Sequence, residues 1–259
     1  MSGFKVVAFA NQKGGVGKTT SAVNMASFAA KAGYKVLLID ADPQGNATTG
    51  IGINKKNSPS TVYDLLIGRT RPEDSAVKTC VEGLYLIPSS IDLVGAEIEL
   101  VDMDDREYRL KDGVSKLKEN FDFVFIDCPP SLGLITLNAL VASDGLVIPV
   151  LCEFYSLEGL SQLMNTVRYI KSRKNSSLEL IGVLINMYDG RLTLNVQVLE
   201  EIKKHFDKKV FKKPIPRNVK LSEAPSHGIP IYMYDRYSKG ALAYEEATAE
   251  LIQRCKGID

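Results

Sequence analysis

Residues 9–20 read Phe-Ala-Asn-Gln-Lys-Gly-Gly-Val-Gly-Lys-Thr-Thr, and this stretch decides the fold. It follows an apolar run of strand length, residues 5–10, and leads into a segment typical of a helix, residues 19–32. A glycine-rich turn between a buried strand and a helix is the setting that a phosphate-binding loop requires. The sequence therefore predicts a loop that binds the phosphates of a nucleotide.

Each residue type in this loop has a chemical reason to be there. Gly14, Gly15 and Gly17 allow the backbone to approach a polyphosphate and to point N–H groups at it. The helix that begins beside Lys18 adds the positive end of its dipole. We expect Lys18 to reach the β- and γ-phosphates and Thr19 to offer its hydroxyl to Mg²⁺.

Acidic residues follow two other apolar runs. Asp40 and Asp42 come after residues 35–39, and Asp127 comes after residues 123–126. Ligands of open α/β sheets bind at the carboxyl ends of the strands. Phosphoryl transfer needs a metal-binding carboxylate and a group that orients water, and these aspartates are the candidates.

Apolar runs and helix-length segments alternate along the chain, which predicts parallel strands joined by right-handed crossovers. The predicted strands are residues 5–10, 35–39, 84–87, 123–126, 145–150 and 180–185. The predicted helices are residues 19–32, 106–119, 132–141, 157–172 and 194–206. We expect an α/β fold with one doubly wound, mainly parallel sheet, helices on both faces, and a single domain over residues 1–259.

The charge is balanced overall but uneven along the chain. Its 32 basic and 31 acidic residues give a formal charge of +1, which argues against a wholly basic nucleic-acid coat protein. Residues 203–220 hold eight cations and one acid, and residues 168–174 add four cations. Residues 92–107 are strongly acidic. We expect local charged patches on a near-neutral protein.

Compartment and metal content are also constrained. The four cysteines, at positions 80, 128, 152 and 255, form no C-x-x-C pair, and the chain has two histidines. A disulfide framework or zinc site is therefore not expected. No run of 18 apolar residues occurs, and the start of the chain lacks the features of a signal peptide. We expect a cytoplasmic protein without a membrane segment.

Two motifs resemble those of the ParA/MinD family of ATPases. These are the K-G-G-x-G-K-T loop at residues 13–19 and the D-x-D-P-Q-G-N element at residues 40–46. The resemblance implies that ATP and Mg²⁺ are the cofactors and that Lys13 acts across an ATP-dependent homodimer. There it would reach the phosphates held by the other subunit, with the logic of an arginine finger supplied in trans.

The resemblance also implies roles for other residues. Asp42 would orient the attacking water with Lys13 and Lys18 as the other catalytic groups, and Thr19, Asp40 and Asp127 would serve the metal. The predicted phosphate-binding residues are Lys13, Gly14, Gly15, Val16, Gly17, Lys18, Thr19 and Thr20. The predicted base-binding residues are Asn186, Pro216, Arg217 and Asn218, although turn chemistry explains these four equally well.

Residues 186–191 and 214–228 resemble the chromosomal Soj branch of the family. That branch implies non-specific binding of double-stranded DNA, with Arg191, Arg217 and Lys220 as candidate contacts. It also implies a ParB-type centromere-binding partner that stimulates hydrolysis, and nucleoid association of the ATP-bound form. The alternative is that these cations merely keep the surface soluble. Because the loop begins so early, no N-terminal helix-turn-helix domain is expected.

Three other functions compete. A MinD-type positioning ATPase that switches on a membrane needs a basic amphipathic tail, whereas residues 241–255 carry three glutamates against one arginine. Their Tyr244, Ala247 and Leu251 are expected to pack on the body. Another cargo-positioning ATPase without DNA binding belongs to the same alternative. An iron–sulfur carrier needs cluster cysteines, but Cys128 precedes two prolines and is expected to be a small buried residue. A module that uses ATP only as structural glue would not need Lys13 and Asp42.

Overall fold

A computed structural model of the chain describes residues 3–55, 58 and 60–257. Apolar β-branched and aromatic runs form a seven-stranded sheet. Its strands are β1 (Lys5–Phe9), β2 (Val36–Asp40), β3 (Val77–Lys78), β4 (Leu84–Ile87), β5 (Phe123–Asp127), β6 (Gly145–Leu151) and β7 (Glu179–Asn186).

The strand order is β3-β4-β2-β5-β1-β6-β7, and every pairing is parallel except the edge pair of β3 with β4. This confirms the predicted doubly wound, mainly parallel sheet. The two-residue β3 was not predicted, because it is too short to show a pattern of its own. Strand β1 lies between β5 and β6, so the loop that follows it leaves the middle of the carboxyl edge.

The helices connect and cover these strands. They are α1 (Lys18–Lys31), α2 (Asn46–Gly50), α3 (Val62–Leu66), α4 (Pro72–Ser75), α5 (Leu93–Glu99), α6 (Arg109–Ser115), α7 (Leu134–Ala142), α8 (Ser156–Arg173), α9 (Thr193–Phe206), α10 (Lys220–Glu223), α11 (Ile231–Tyr234) and α12 (Lys239–Cys255). Helices α1, α11 and α12 pack on one face of the sheet, and α3 and α5 to α9 pack on the other. Both faces are thus covered, as a parallel sheet requires.

Helix α6 is shorter than the predicted helix over residues 106–119. The side chain of Asn138 explains its late start, because its Nδ2 donates to the carbonyl of Arg106 and its Oδ1 accepts from the N–H of Leu110. These are the two backbone groups that would bond to each other in a continuing α-helix. A side chain from α7 replaces that bond, and Asp105 just before it has a φ of 52°.

The C-terminal helix α12 packs on α1, as expected. Tyr244, Ala247 and Leu251 are buried, and the Tyr244 hydroxyl lies 3.1 Å from Oγ of Ser21. Cys128 is buried and forms no disulfide, which confirms its predicted role as a small core residue. Within the described ranges, no helix is long and apolar enough to cross a bilayer.

Candidate nucleotide site

The loop between β1 and α1 has the geometry of a phosphate cradle. Gly15 and Gly17 adopt φ values of 73° and 86°, in the left-handed region that favours glycine. A Cβ atom on Gly17 would lie 2.6 Å from Nδ2 of Asn186, so the backbone passes that side chain in close contact. Gly14 faces open space. The loop therefore exposes bare backbone at the start of a 14-residue helix.

Asn186, at the end of β7, holds this loop in place. Its Nδ2 donates to the carbonyl of Val16 at 2.8 Å and to Oγ of Ser21 at 3.1 Å. Its Oδ1 is buried and has no hydrogen-bond partner among the described residues. A buried acceptor without a donor is costly, so this oxygen is available to a ligand's N–H group.

The two loop lysines differ in environment. Lys18 is 6% exposed, and its Nζ donates to the carbonyl of Lys13 at 3.1 Å. Burial lowers the pKa of Lys18, although the negative charge of Asp127 acts in the opposite direction. Lys13 is exposed, and its ammonium group forms an ion pair with Glu153, at the start of the loop after β6. No sequence pattern singles out Glu153, since 140 residues separate it from Lys13.

Strand register brings two carboxylates together. Asp40 pairs with Asp127 in neighbouring parallel strands, and Asp127 pairs with Phe9, the last residue of β1. Both aspartates are fully buried. Burial, followed by the negative charge of Asp40, raises the pKa of Asp127 well above its usual range. Two such groups side by side favour an added cation.

The two carboxylates are satisfied differently. Asp40 accepts bonds from the N–H and hydroxyl of Thr48, at 2.7 and 2.6 Å, and from the N–H of Asp42. Neither oxygen of Asp127 has a partner with hydrogen-bond geometry among the described residues. The hydroxyl of Thr19 lies close enough to lower the pKa of Asp127, but it is not aligned for a hydrogen bond. Asp127 thus has both carboxylate oxygens available to a ligand, whereas the oxygens of Asp40 are already hydrogen-bonded within the protein.

Asp42 lies at the same edge and is 7% exposed. Its Oδ1 accepts from the N–H of Gln44 at 2.9 Å, and its carbonyl accepts from the hydroxyl of Ser89 at 2.7 Å. One carboxylate oxygen is therefore fixed by the turn after β2 and the other is left for a ligand or water. Ser89, which follows β4, was not predicted from the sequence.

These groups fit a magnesium ion that is held partly by phosphate and water. No cluster of three or more His, Cys, Asp or Glu side chains suited to a metal exists in the described part of the chain. Mg²⁺ characteristically uses one or two carboxylates together with substrate phosphates and several waters. The unpartnered Asp127, with Thr19 beside it, matches that sparse set of protein ligands.

Next to the loop is an open cavity of ≈ 330 Å³. The predicted base-binding residues all line it, together with Gly17 and Thr20 of the loop and α1: Asn186, Pro216, Arg217 and Asn218. An isolated β-bridge between Tyr188 and Pro216 brings the two segments side by side. The structure thus brings Asn186 beside three consecutive residues that follow it about 30 positions later in the sequence.

Two of the predicted DNA-contacting residues lie together near this cavity. Arg191 forms an ion pair with Asp189 at 2.6 Å, and its side chain is 89% exposed. Arg191, and to a lesser degree Arg217, lowers the pKa of Asp189 to about 2. Lys220, three residues after Arg217, pairs with Glu223 at 3.1 Å and also lies 5.4 Å from the centre of the Tyr234 ring. All three cations are exposed, each near one acid.

The basic run 203–220 does not form one patch. Helix α9 carries Lys203 and Lys204 to the amino ends of the strands, and Lys209 lies near Ile181 at the start of β7 through their shared partner Arg254. The chain then returns parallel to β7 and reaches the carboxyl edge at Pro216. Arg217 and Lys220 are thus at the nucleotide end, and Lys208 and Lys209 are at the opposite end.

Comparison with known proteins identifies relatives of this chain. Residues 4–180 match a family described as an AAA domain. The sporulation initiation inhibitor protein Soj of Bacillus subtilis is 54% identical over 247 residues, covering 95% of this chain and 98% of that protein. The chromosome partitioning protein ParA of Caulobacter vibrioides is 48% identical over 252 residues, covering 96% and 94%.

A solved structure shares the fold at TM-score 0.86 and 37% identity, covering 98% of this chain and 96% of that chain. It is the cobyrinic acid a,c-diamide synthase of Mycobacterium smegmatis with bound ADP and magnesium.

Replacing Gly17 by Ala tests the packing of the loop against Asn186. A side chain at φ 86° costs at least about 1 kcal/mol, and contact with Asn186 adds to it. We expect the melting temperature without nucleotide to fall by at least about 2–4 °C, and nucleotide binding to weaken. Gly14→Ala is the matched control, because nothing lies within 4 Å of its added methyl group. Equal melting temperatures for the two variants would contradict the close contact.

Proposed function

This chain belongs to the Soj/ParA family of chromosome-partitioning ATPases, and we propose that it is a DNA-segregation ATPase whose affinity for DNA is switched by ATP. The observation that carries the proposal is a bare phosphate loop held against Asn186, beside buried Lys18 and the unpartnered carboxylate of Asp127. In this proposal residues 1–259 act as one cytoplasmic ATPase domain, associated with the nucleoid when ATP is bound.

ATP would occupy the loop and the adjoining cavity. The backbone N–H groups of Gly14 to Thr20 and the ammonium of Lys18 would hold the phosphates. Lys18 now bonds to the carbonyl of Lys13, a weak neutral acceptor that a charged phosphate can replace. The base would lie between Pro216 and Asn186. The unpartnered Oδ1 of Asn186 would accept a hydrogen bond from the exocyclic amino group of the base.

Mg²⁺ would be held by Asp127 and Thr19, with Asp40 supporting the arrangement through Thr48 rather than by a direct bond. When bound, such an ion neutralises charge that develops on the phosphates. Asp42 would orient the attacking water with the carboxylate oxygen that Gln44 leaves open. This gives the enzyme weak intrinsic hydrolysis, because the remaining positive charge must come from elsewhere.

That charge would be Lys13 of a second copy. In the single chain, Lys13 is paired with Glu153 at the surface and points to its own β6 edge. Exposed pairs of this kind contribute about 0–1 kcal/mol, so the pair is easily exchanged for a phosphate of the opposing subunit. ATP would therefore promote a homodimer, and hydrolysis stimulated by a ParB-type protein would separate it.

DNA would bind to Arg191, Arg217 and Lys220 without reading sequence, since contacts between cations and phosphates position a protein and do not specify a base. These cations lie at the same end of the sheet as the nucleotide site, so a dimer formed there would place two sets on one assembly. Effective concentration then increases retention without any new contact.

A MinD-type positioning ATPase without DNA binding is the second candidate. Helix α12 weighs against it, because its Tyr244, Ala247 and Leu251 side chains are buried and are not available to a bilayer. The two candidates differ in a direct measurement, the retention of DNA with ATP, with ADP and without nucleotide at two salt concentrations.

We expect retention of non-specific DNA only with ATP, and a loss of retention as salt increases. Arg191→Ala and Lys220→Ala should each weaken retention and reduce the slope of log affinity against log salt by about 1. Lys208→Ala is the control, because that lysine is equally exposed but lies at the opposite end of the sheet. Equal retention in all three nucleotide states would overturn the switch, and an equal effect of Lys208→Ala would overturn the location.

Asp42→Ala tests the assignment of the water-orienting group. Removing a positioned acid-base group typically lowers turnover about 100-fold or more. We expect ATP binding and DNA retention to persist, because Asp42 contributes neither to the phosphate loop nor to the basic residues. Size-exclusion chromatography with ATP should show a stable dimer. A monomer, or turnover at the wild-type rate, would contradict the assignment.

A further inference from the structure

Helix α5 has apolar side chains on two faces. Leu93, Ala96 and Leu100 point inward and are fully buried in the core. On the opposite side Ile91, Val94, Ile98 and Val101 are exposed, Ile98 by 75% and Ile91 by 68%. We call these four residues the α5 stripe. A surface helix of a globular protein normally carries polar residues on that face.

The α5 stripe is a continuous feature. Its residues are spaced by three, four and three positions, which places them on one side of a helix. Backbone bonds from Val94 to Ile91 and from Met103 to Leu100 show that the helical path extends beyond α5 at both ends. Over this span a helix rises about 15 Å, the length of three turns. Contiguous exposed apolar surface is typical of interaction sites on proteins.

The surroundings of the α5 stripe are acidic. Residues 91–105 contain six acids and no cation. Five of these acids are exposed: Asp92, Glu99, Asp102, Asp104 and Asp105. None of them forms an ion pair with another residue of the described ranges. A partner that is complementary to the α5 stripe needs a row of apolar side chains flanked by positive charges. A basic amphipathic helix has both features.

Ser89, four residues before α5, is hydrogen-bonded to the turn that follows β2. Ser89 is fully buried, and its hydroxyl donates to the carbonyl of Asp42 at 2.7 Å. Its N–H donates to the hydroxyl of Thr48 at 3.1 Å, and Thr48 in turn holds Asp40. Ser89 thus links the segment just before α5 to the turn that carries Asp42.

The middle of α5 touches the segment after Asp127. Glu97 packs so closely on Gly133, the residue before α7, that a Cβ atom there would lie 2.0 Å from Oε1 of Glu97. That oxygen is buried and lacks a hydrogen-bond partner among the described residues. Glu97 therefore places a buried, unsatisfied acceptor against the segment that follows Asp127, which is costly in the folded protein.

From these observations we propose that the α5 stripe docks a basic amphipathic helix of the protein that stimulates hydrolysis. Docking would act on Asp42 through Ser89 and on the segment after Asp127 through Glu97. The inference rests on the proposed function for the existence of a stimulating partner, but the surface itself is defined by the exposed stripe and its acids.

The surface can be tested with a labelled peptide of 18 residues that has leucines at helical i, i+3, i+4 and i+7 positions and lysines elsewhere. We expect saturable, salt-sensitive binding in fluorescence anisotropy, weakened roughly ten-fold or more by Ile98→Asp. Asp102→Lys with Asp104→Lys should weaken it separately, through charge. The control is Leu242→Asp, at an apolar α12 residue of 47% exposure. Unchanged binding to Ile98→Asp, or equal loss in Leu242→Asp, would overturn the proposal.

ATP turnover measured with the full-length ParB-type protein of the same organism tests the coupling. Ile98→Asp should keep wild-type basal turnover and ATP-dependent DNA retention while losing most of the stimulation. Full stimulation of that variant would overturn the docking site. Absence of any ATP turnover in the wild-type protein would instead refute the proposed function, and the peptide titration would still decide whether the α5 stripe is a docking surface.

Discussion

The register of three neighbouring strands is the constraint on which this site depends. Because β2, β5 and β1 run parallel, Asp40, Asp127 and Phe9 lie side by side at one edge. That alignment buries two carboxylates together at the point where the phosphate loop leaves the sheet. Such a cluster costs free energy unless a cation joins it. The single positive charge of Lys18 balances only part of the negative charge of the two carboxylates. The folded protein is therefore stabilised when a metal ion bound to a nucleotide supplies the rest.

The C-terminal half of the chain also supports the phosphate loop. Asn186 at the end of β7 bonds to the loop at Val16, and the segment around Pro216 follows β7 to the same edge. Helix α12 then packs on α1, the helix that the loop opens. The phosphate loop is thus supported from two sides by residues more than 160 positions away. This is why the loop keeps its cradle shape around glycines that would otherwise be free to move.

Features that depend on local pattern could be predicted from the sequence, and features that depend on the path of the chain could not. The strands, the loop and the strand-end aspartates carry their signal within a dozen residues. The bond from Asn138 that delays α6 has no such signal, and neither does the pair of Lys13 with Glu153. The basic run 203–220 was one cluster in sequence, but α9 and the return along β7 carry its two ends to opposite edges of the sheet.

The near-neutral charge has a structural counterpart at three of the cations with predicted roles. Lys13 is paired with Glu153, Arg191 with Asp189, and Lys220 with Glu223. All three pairs are exposed, so each contributes little to stability, and screening by salt reduces it further. A phosphate carries more acceptor oxygens than a lone carboxylate and can replace it at small cost. In the proposed function, these acids neutralise the cations until a phosphate replaces them, and binding would therefore be reversible. Among the described residues, the exposed acids around the α5 stripe have no cationic partner. In the two proposals, the paired cations would exchange a carboxylate for a phosphate, and the unpaired acids would gain a cation from a bound helix.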